Sequence, residues 1–359
     1  MRPLSCDHLV VGAGSTGLAV ADHLLRRNSG SVILLDRLES PQARMGESRV
    51  PLLVPPYDPP CDASDSSDWE GPIHRALELY EGWSNWLEMD PGYRRSGALV
   101  LSAENVRNGD WLESGEIRRR WSALGDMSSG AHFVAECGTV NHQEVLAALM
   151  WRLRKSGGRF HGGAALNHLE ETSNGVHFYT SRRDGFAQRV YLCHGAAAPS
   201  MMKEMGVRHR QKIETVCEFS FDLSGDFPPL IHWPHHKATL FFSSSSTAEL
   251  HMVSTPIDPL PGGNLPTAAV DWELLSSFRK AWGPFIPGFS DSVIRKARAR
   301  HRRAHDADSL EVVSSAGGCI QMPAAAGEYQ DLMFPALAEA LVEQVDSGAT
   351  GGLLEDLGD

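Results

Sequence analysis

Residues 8–17 read His8-Leu9-Val10-Val11-Gly12-Ala13-Gly14-Ser15-Thr16-Gly17, a short apolar run closed by the spacing G-x-G-x-x-G. From Leu18 to Arg27 the apolar residues Leu18, Val20, Ala21, Leu24 and Leu25 recur at helical spacing. Val32-Ile33-Leu34-Leu35 is then a continuous apolar run, the pattern of a parallel strand covered on both faces, and Asp36 closes the unit. Each residue type has a job in a dinucleotide site. Gly12 permits the tight turn, Gly14 lets the backbone approach a pyrophosphate, and Gly17 lets the helix pack close to the strand. Ser15 and Thr16 fall in the first turn, where free N–H groups and the positive dipole end face the phosphates. Asp36 lies 19 residues beyond Gly17, near the distance at which an acid at the tip of the second strand reaches a ribose 2′-OH. An acid there disfavours a 2′-phosphate, which argues against NADP, but the motif does not separate FAD from NAD.

Working outward, the chain of 359 residues is long enough for about two domains, and 42% hydrophobic content supplies a proper core. No run of about 18 apolar residues exists, and Met1 passes into a strand without a signal-peptide core, so a cytoplasmic protein without a membrane segment is expected. The cysteines Cys6, Cys61, Cys137, Cys193, Cys217 and Cys319 lack C-x-x-C spacing and read as reduced thiols. A formal charge of −12 argues against nucleic acid as a partner.

After the nucleotide unit comes the polar loop Ala43-Arg44-Met45-Gly46-Glu47-Ser48-Arg49, in which Gly46 allows close approach and Arg44 and Arg49 offer fixed positive charge. Residues 51–72 are rich in Pro, Asp and Ser and read as a long irregular segment. Helices are expected at 73–87, 114–121, 140–155, 272–282 and 335–345. Strands are expected at 163–169, 176–181, 189–193, 211–221, 239–242, 249–253, 293–303 and 310–313. The strand ending at Cys193 runs into His194-Gly195-Ala196-Ala197, a second small-residue turn. From residue 211 on, strands dominate and mark a second domain.

Val10 to Gly17 with Asp36, Gly46-Glu47-Ser48-Arg49, Arg75-Ala76-Leu77-Glu78-Leu79 leading to Arg95-Ser96-Gly97-Ala98-Leu99-Val100, and Glu116 to Trp121 occur in a familiar order. In these pieces the chain resembles the FAD-dependent amine oxidases of the D-amino-acid oxidase superfamily, most closely the monomeric sarcosine oxidase and N-methyl-amino-acid oxidase branch. The resemblance implies FAD, held by Arg37, Arg44, Ser48, Leu166, Cys193, Gly195 and Gly327 beside the residues already named. It implies an α/β fold, α+β overall: a Rossmann-like FAD-binding domain (1–72, 140–210 and 300–359) under a mixed antiparallel-sheet substrate domain (73–139 and 211–299). The activity implied is oxidation of a C–N bond in an amine or amino-acid-like small molecule, with electrons passing to oxygen or another acceptor; a monomer is expected, with an oligomer left open. Arg49 is the candidate for a charge near the flavin or a substrate carboxylate.

The chain departs from that branch at Met45 and Leu52, where members often carry histidine and arginine, and at Leu332 and Met333, where a lysine is expected after Gly327-Glu328-Tyr329-Gln330-Asp331. The branch's flavin-linked cysteine falls at Ala299 or His301, two positions on one strand face with Ala297. His301 is therefore the acid/base or flavin-attachment candidate, against the alternative of a hydrogen-bonded structural histidine. The opposite face, Lys296, Arg298, Arg300 and Arg302, reads as a solvated or phosphate-balancing surface. His232-Trp233-Pro234-His235-His236 reads as exposed histidines of a hairpin rather than a metal site. Two other readings stay open: a flavin monooxygenase or halogenase reduced by NAD(P)H, suggested by Gly46-Glu47-Ser48, and a flavin-binding protein without oxidase activity.

Overall fold

A computed structural model describes residues 3–40, 49–55, 70–106, 108–207, 212–257, 265–304, 312–323 and 326–347. In chain order β1 (Leu4–Val11), α1 (Ser15–Arg26) and β2 (Val32–Leu35) form the opening unit. There follow β3 (Arg49–Leu52), α2 (Glu70–Trp86), β4 (Arg94–Arg95), β5 (Ala98–Val100), β6 (Gly109–Leu112), α3 (Ser114–Arg120), β7 (Ala131–Val134) and β8 (Gly138–Asn141). Next come α4 (His142–Lys155), β9 (Arg159–His161), β10 (Leu166–Thr172), β11 (Gly175–Thr180), β12 (Gly185–Leu192) and α5 (Ala198–Glu204). The strands β13 (Ile213–Asp222), β14 (Leu230–Trp233), β15 (Ala238–Phe242) and β16 (Thr247–Ile257) lead to α6 (Trp272–Trp282) and β17 (Ile294–Arg303). The chain closes with β18 (Val313–Ser314), β19 (Ile320–Met322) and α7 (Gln330–Ser347).

Two eight-stranded sheets organise these elements. In the first, β12, β1, β2 and β9 run parallel, so Val10 lies between Leu34 and Tyr191, and β10, β11, β18 and β19 extend it. Its central strands are buried on both faces, as their unbroken apolar runs require. The second sheet has the order β17-β13-β16-β15-β14-β5-β7-β6, and a small sheet β3-β8-β4 lies apart from both. The mixed α/β architecture anticipated from the sequence is therefore present. Strand β17 runs without interruption through residues 299 and 300, where the sequence reading divided two domains.

Among the element boundaries that differ from the sequence reading, three have plain local reasons. Helix α4 starts at His142 rather than Val140 because Val140 and Asn141 pair with Val50 and Arg49, and Asn141 Oδ1 caps the helix from Gln143 and Glu144 N–H groups. Strand β10 starts later than residue 163 because Gly163 adopts φ +66° in a turn whose N–H donates to the Leu38 carbonyl. Helix α7 begins five residues before Pro335, which sits inside it. Proline cannot donate to the carbonyl four residues back, which is that of Asp331, and the Tyr80 hydroxyl donates to that carbonyl instead.

The second sheet has two unlike faces. Cys217, Phe219, Leu240, Leu250 and Met252 face an apolar core completed by Leu275 and Phe278 of α6. Burial at about 25 cal/mol per Å2 of apolar surface makes that face the one that anchors the sheet. The alternating residues point the other way and include the polar Glu214, Glu218, His232, Thr239 and His251 beside the apolar Val216, Phe241 and Val253.

Candidate functional site

The first site lies at the carboxyl ends of β1 and β2, where a doubly wound sheet offers its crevice. Gly12 has φ +103°, and a Cβ there would come within 2.7 Å of the His194 Cα. At Gly17 a Cβ would lie 1.8 Å from the Gly12 carbonyl oxygen, so this glycine is required by packing. At Gly14 a Cβ would meet nothing within 4 Å, so open space lies in front of that backbone. Gly14 precedes α1 without any side-chain cap, leaving the first-turn N–H groups of Ser15 and Thr16 to an outside acceptor. Asp36 is buried at the tip of β2; its Oδ2 accepts from Ala13 N at 2.8 Å and its Oδ1 from Leu38 N at 2.8 Å. An ionised carboxylate has about four acceptor sites, so a carboxylate fixed in this way suits sugar hydroxyls. His194 adds a buried Nδ1 with no hydrogen-bond partner among the described residues.

The other residues of the sequence reading fall as follows. Cys193 is buried beside this turn, its N–H donating to the Val11 carbonyl at 2.8 Å, and burial pushes its thiol up to about 12. Gly195 (φ +68°) opens the one-turn helix Gly195–Ala197, and Gly327 (φ +54°) opens Gly327–Tyr329 before α7. Arg37 is exposed next to Asp36. Leu166 starts β10; two residues earlier, Ala164 N–H donates to the Asp36 carbonyl at 2.8 Å. Arg44 and Ser48 lie outside the described residues. Arg49 is half-buried opposite Asn141, on the same strand face as Pro51.

A second site adjoins the first. Gln330, at the head of α7, donates from Nε2 to Thr16 Oγ1 (3.2 Å) on the first turn of α1. Its neighbours Glu328 and Asp331 line a cleft whose far wall is the polar face of the second sheet, with His251, Arg300, Arg302 and Lys237. Pro51 and Leu53, at and just beyond the end of β3, close one side.

The polar face carries paired charges. Glu218 is buried and accepts from Arg300 Nε at 2.7 Å and from Arg298 Nε. Burial alone would raise the Glu218 carboxyl, but the charges of His251, Arg300 and Arg298 hold it down at about 2. Glu214, also buried, accepts from Lys237 Nζ (2.7 Å) and from Arg302 Nη2 (3.1 Å). Half-exposed Glu249 on the same face is raised to about 7, by burial first and by the Glu218 charge second. At the head of α4, His142 Nδ1 stands 3.5 Å from Asp331 Oδ1, and burial lowers its ring below the ordinary histidine value.

His301 lies on the opposite face of β17. Its Nε2 donates to the Pro266 carbonyl at 2.7 Å, and Nδ1 is 3.2 Å from Thr215 Oγ1. Ala297 and Ala299 pack against the apolar core. The face of β17 that turns to the cleft is thus the basic one, with Arg300 and Arg302, rather than the alanine and histidine face. His232 departs from the exposed hairpin reading: it is buried on β14, Nδ1 3.0 Å from Thr239 Oγ1, while His235 and His236 are exposed. Among the described residues no group of three His, Cys, Asp or Glu side chains could hold a metal ion, and no helix is long and apolar enough to cross a membrane.

Comparisons with known proteins agree with this geometry. The family model described as FAD dependent oxidoreductase (DAO) matches residues 7–320. The monomeric sarcosine oxidase of Streptomyces avermitilis is 24% identical over 220 residues, covering 56% of this chain and 54% of that protein, so the match spans about half the length of this curated relative. Among solved structures, L-proline dehydrogenase from P. horikoshii superposes with a TM-score of 0.79 at 14% identity, over 97% of this chain and 95% of the other. Glycine oxidase from Geobacillus kaustophilus gives 0.78 at 14% identity, over 97% and 96%. NikD, an amino acid oxidase essential for nikkomycin biosynthesis, gives 0.78 at 16% identity, over 97% and 95%.

Proposed function

The chain belongs to the FAD dependent oxidoreductase family (DAO), and on that premise we propose that it oxidises a C–N bond of an amine or amino-acid-like molecule held in the cleft between the head of α7 and the polar face of the second sheet. The observation that carries this reading is the continuity of the two sites: the Gln330–Thr16 hydrogen bond sets the cleft one residue away from the helix end that suits a pyrophosphate. The uncapped α1, the open space at Gly14 and the buried orphan nitrogen of His194 fit FAD. When bound, FAD supplies the acceptor for a hydride equivalent and later releases electrons to oxygen or another acceptor.

The residues of the chain bind and orient. Arg300 and Arg302 present guanidinium forks to a substrate carboxylate, and Arg49 is a further carboxylate partner from the β3 side. Glu328 and Asp331 face them with the opposite charge, which suits the amine end. Pro51, Leu53, Val216 and Val253 exclude water between the charged ends. Amine and amino-acid substrates named for the relatives, sarcosine, glycine and L-proline among them, are consistent with such a bipolar cleft.

Anaerobic mixing of the FAD-loaded protein with a panel of secondary amines and amino acids tests this. Bleaching of the visible flavin band by at least one of them is the expected result. A protein that stays oxidised with every amine yet is bleached by NADH overturns the proposal in favour of a monooxygenase-type enzyme. For Arg49→Ala, KM for a carboxylate substrate rises about tenfold or more with kcat little changed, the loss of one charge-assisted contact; unchanged KM removes Arg49 from the site.

A further inference from the structure

One side chain lining the cleft has no task in the account above. Val100, His232, Thr239, His251, Glu218 and Arg298 stand side by side across six strands, β5, β14, β15, β16, β13 and β17, and so share one face of the sheet. Most of the row is internally satisfied. Arg298 and Arg300 clamp Glu218, and Thr239 Oγ1 is engaged with His232 Nδ1 at 3.0 Å. His251 differs. It lies between Glu218 and Thr239 and lines the cleft together with Arg300 and Asp331, yet its buried Nε2 has no hydrogen-bond partner among the described residues.

An unsatisfied buried polar nitrogen costs about 1–3 kcal/mol, and native structures leave few of them. The ring is also held in place: it meets Phe241 edge-to-face, centroids 4.9 Å apart, while the Glu218 carboxylate beside it is fixed by two guanidinium groups. A polar group that is fixed, faces a cleft and lacks a partner is positioned for something that enters the cleft.

We propose that His251 is the hydrogen-bonding contact from the second sheet to the isoalloxazine ring of FAD, and that Glu218, clamped by Arg298 and Arg300, is the residue that positions it. The proposal rests on the cofactor placement of the proposed function. Burial first, against the opposing charge of Glu218, brings the His251 ring down to about 4, so at neutral pH it is an uncharged imidazole with one donor and one acceptor nitrogen. At this point of the face the sheet therefore offers the ring system an uncharged contact, beside the paired charges of Glu218 and Arg298.

The test is an FAD titration of the apoprotein followed by visible absorption and fluorescence, for wild type, His251→Gln and Glu218→Gln, with a crystal structure of the wild-type FAD complex. His251→Gln is expected to bind FAD more weakly, by about tenfold at most because Asp36 and the head of α1 are untouched, and with a shifted and differently resolved visible band. Glu218→Gln shifts the same band in the same sense through a loosened ring. In the wild-type complex a His251 ring nitrogen lies within hydrogen-bond distance of the isoalloxazine. Identical spectra in wild type and His251→Gln, or a crystal structure with His251 remote from the ring, overturns the proposal and leaves the proposed function standing. A wild-type protein that takes up no FAD overturns both. Should His251→Gln fail to fold, the wild-type complex alone decides.

Discussion

The turn at the end of the first sheet and the charged row on the second are built by opposite means. The turn is made of backbone: Gly12, Gly14 and Gly17 act through what they lack, and its one carboxylate, Asp36, is itself held by backbone N–H groups. The row is made of side chains from six strands, and its buried charge, Glu218 on β13, is oriented by Arg298 and Arg300 on β17. A backbone site tolerates almost no added volume but is indifferent to charge. A side-chain site tolerates changes of volume at its rim but fails when one charge of a buried pair is removed.

The sharpest way to break that contrast is Gly17→Ala. A methyl group 1.8 Å from a backbone oxygen cannot be relieved by a side-chain rotation, so destabilisation of about 3 kcal/mol or more is expected in urea unfolding. A stable Gly17→Ala protein would mean that the turn is adaptable after all. On the other side, Glu218→Gln removes the buried charge and replaces one of the two acceptor oxygens by an NH2 donor, so that one of the two arginines loses its partner. Both guanidinium groups are partly exposed and recover some hydration, so about 2 kcal/mol is expected in the same measurement, and a change below 0.5 would show that the clamp is not structural.

Gly14→Ala separates packing from binding within the backbone site. Nothing lies within 4 Å of the added methyl group, so the apoprotein should unfold within about 0.5 kcal/mol of wild type. FAD affinity should nevertheless fall about tenfold or more, because the methyl group occupies the approach to the pyrophosphate. Equal affinity would mean that the cofactor phosphates lie elsewhere.

The same contrast explains which parts of the molecule were legible. Residues 8–36 are read directly because every contact of a β–α–β unit is encoded within one window: spacing, helix period and terminal acid are all local. Helix α6 is recovered at both ends, and its start coincides with Asp271, whose carboxylate caps Leu274 N at 2.8 Å. The cleft is not legible in this way. The alternation along 293–303 shows two faces, but which one turns to the site depends on β13, some 80 residues earlier, and on α6 covering the other side. One signal was present: Glu214 and Glu218, four apart on an otherwise apolar strand, can only be buried opposite cations, and Arg298, Arg300 and Arg302 alternate in step with them. His251 carries no local signal, since a single histidine in a strand has no partner to be read from until the sheet is assembled.

The smallest effect expected is also the one that probes the row without removing a charge pair. Glu249 lies on the polar face two residues from His251, with Glu218, Arg298 and Lys296 as the charges that act on it. Its carboxyl is raised from 4.5 to about 7, so between those values the folded chain holds a proton that the unfolded chain releases. The Glu249 contribution to stability then falls as pH rises through that window and levels off above it, because the unfolded state binds fewer protons there. The buried histidines His23, His194 and His251, held down at about 4, contribute slopes of the opposite sign below 6.5. Glu218, held at about 2, contributes in the opposite sense and at lower pH, its stabilisation being lost only as pH falls from about 4.5 toward 2. The Glu249 slope is therefore read as the difference between wild type and Glu249→Gln in urea-unfolding series across pH 3 to 8. The stability of Glu249→Gln relative to wild type should rise between pH 4.5 and 7 and stay level below that window. If the difference is flat from 4.5 to 7, the proton belongs to another group, and the local field on this face is not the one set by the clamped Glu218.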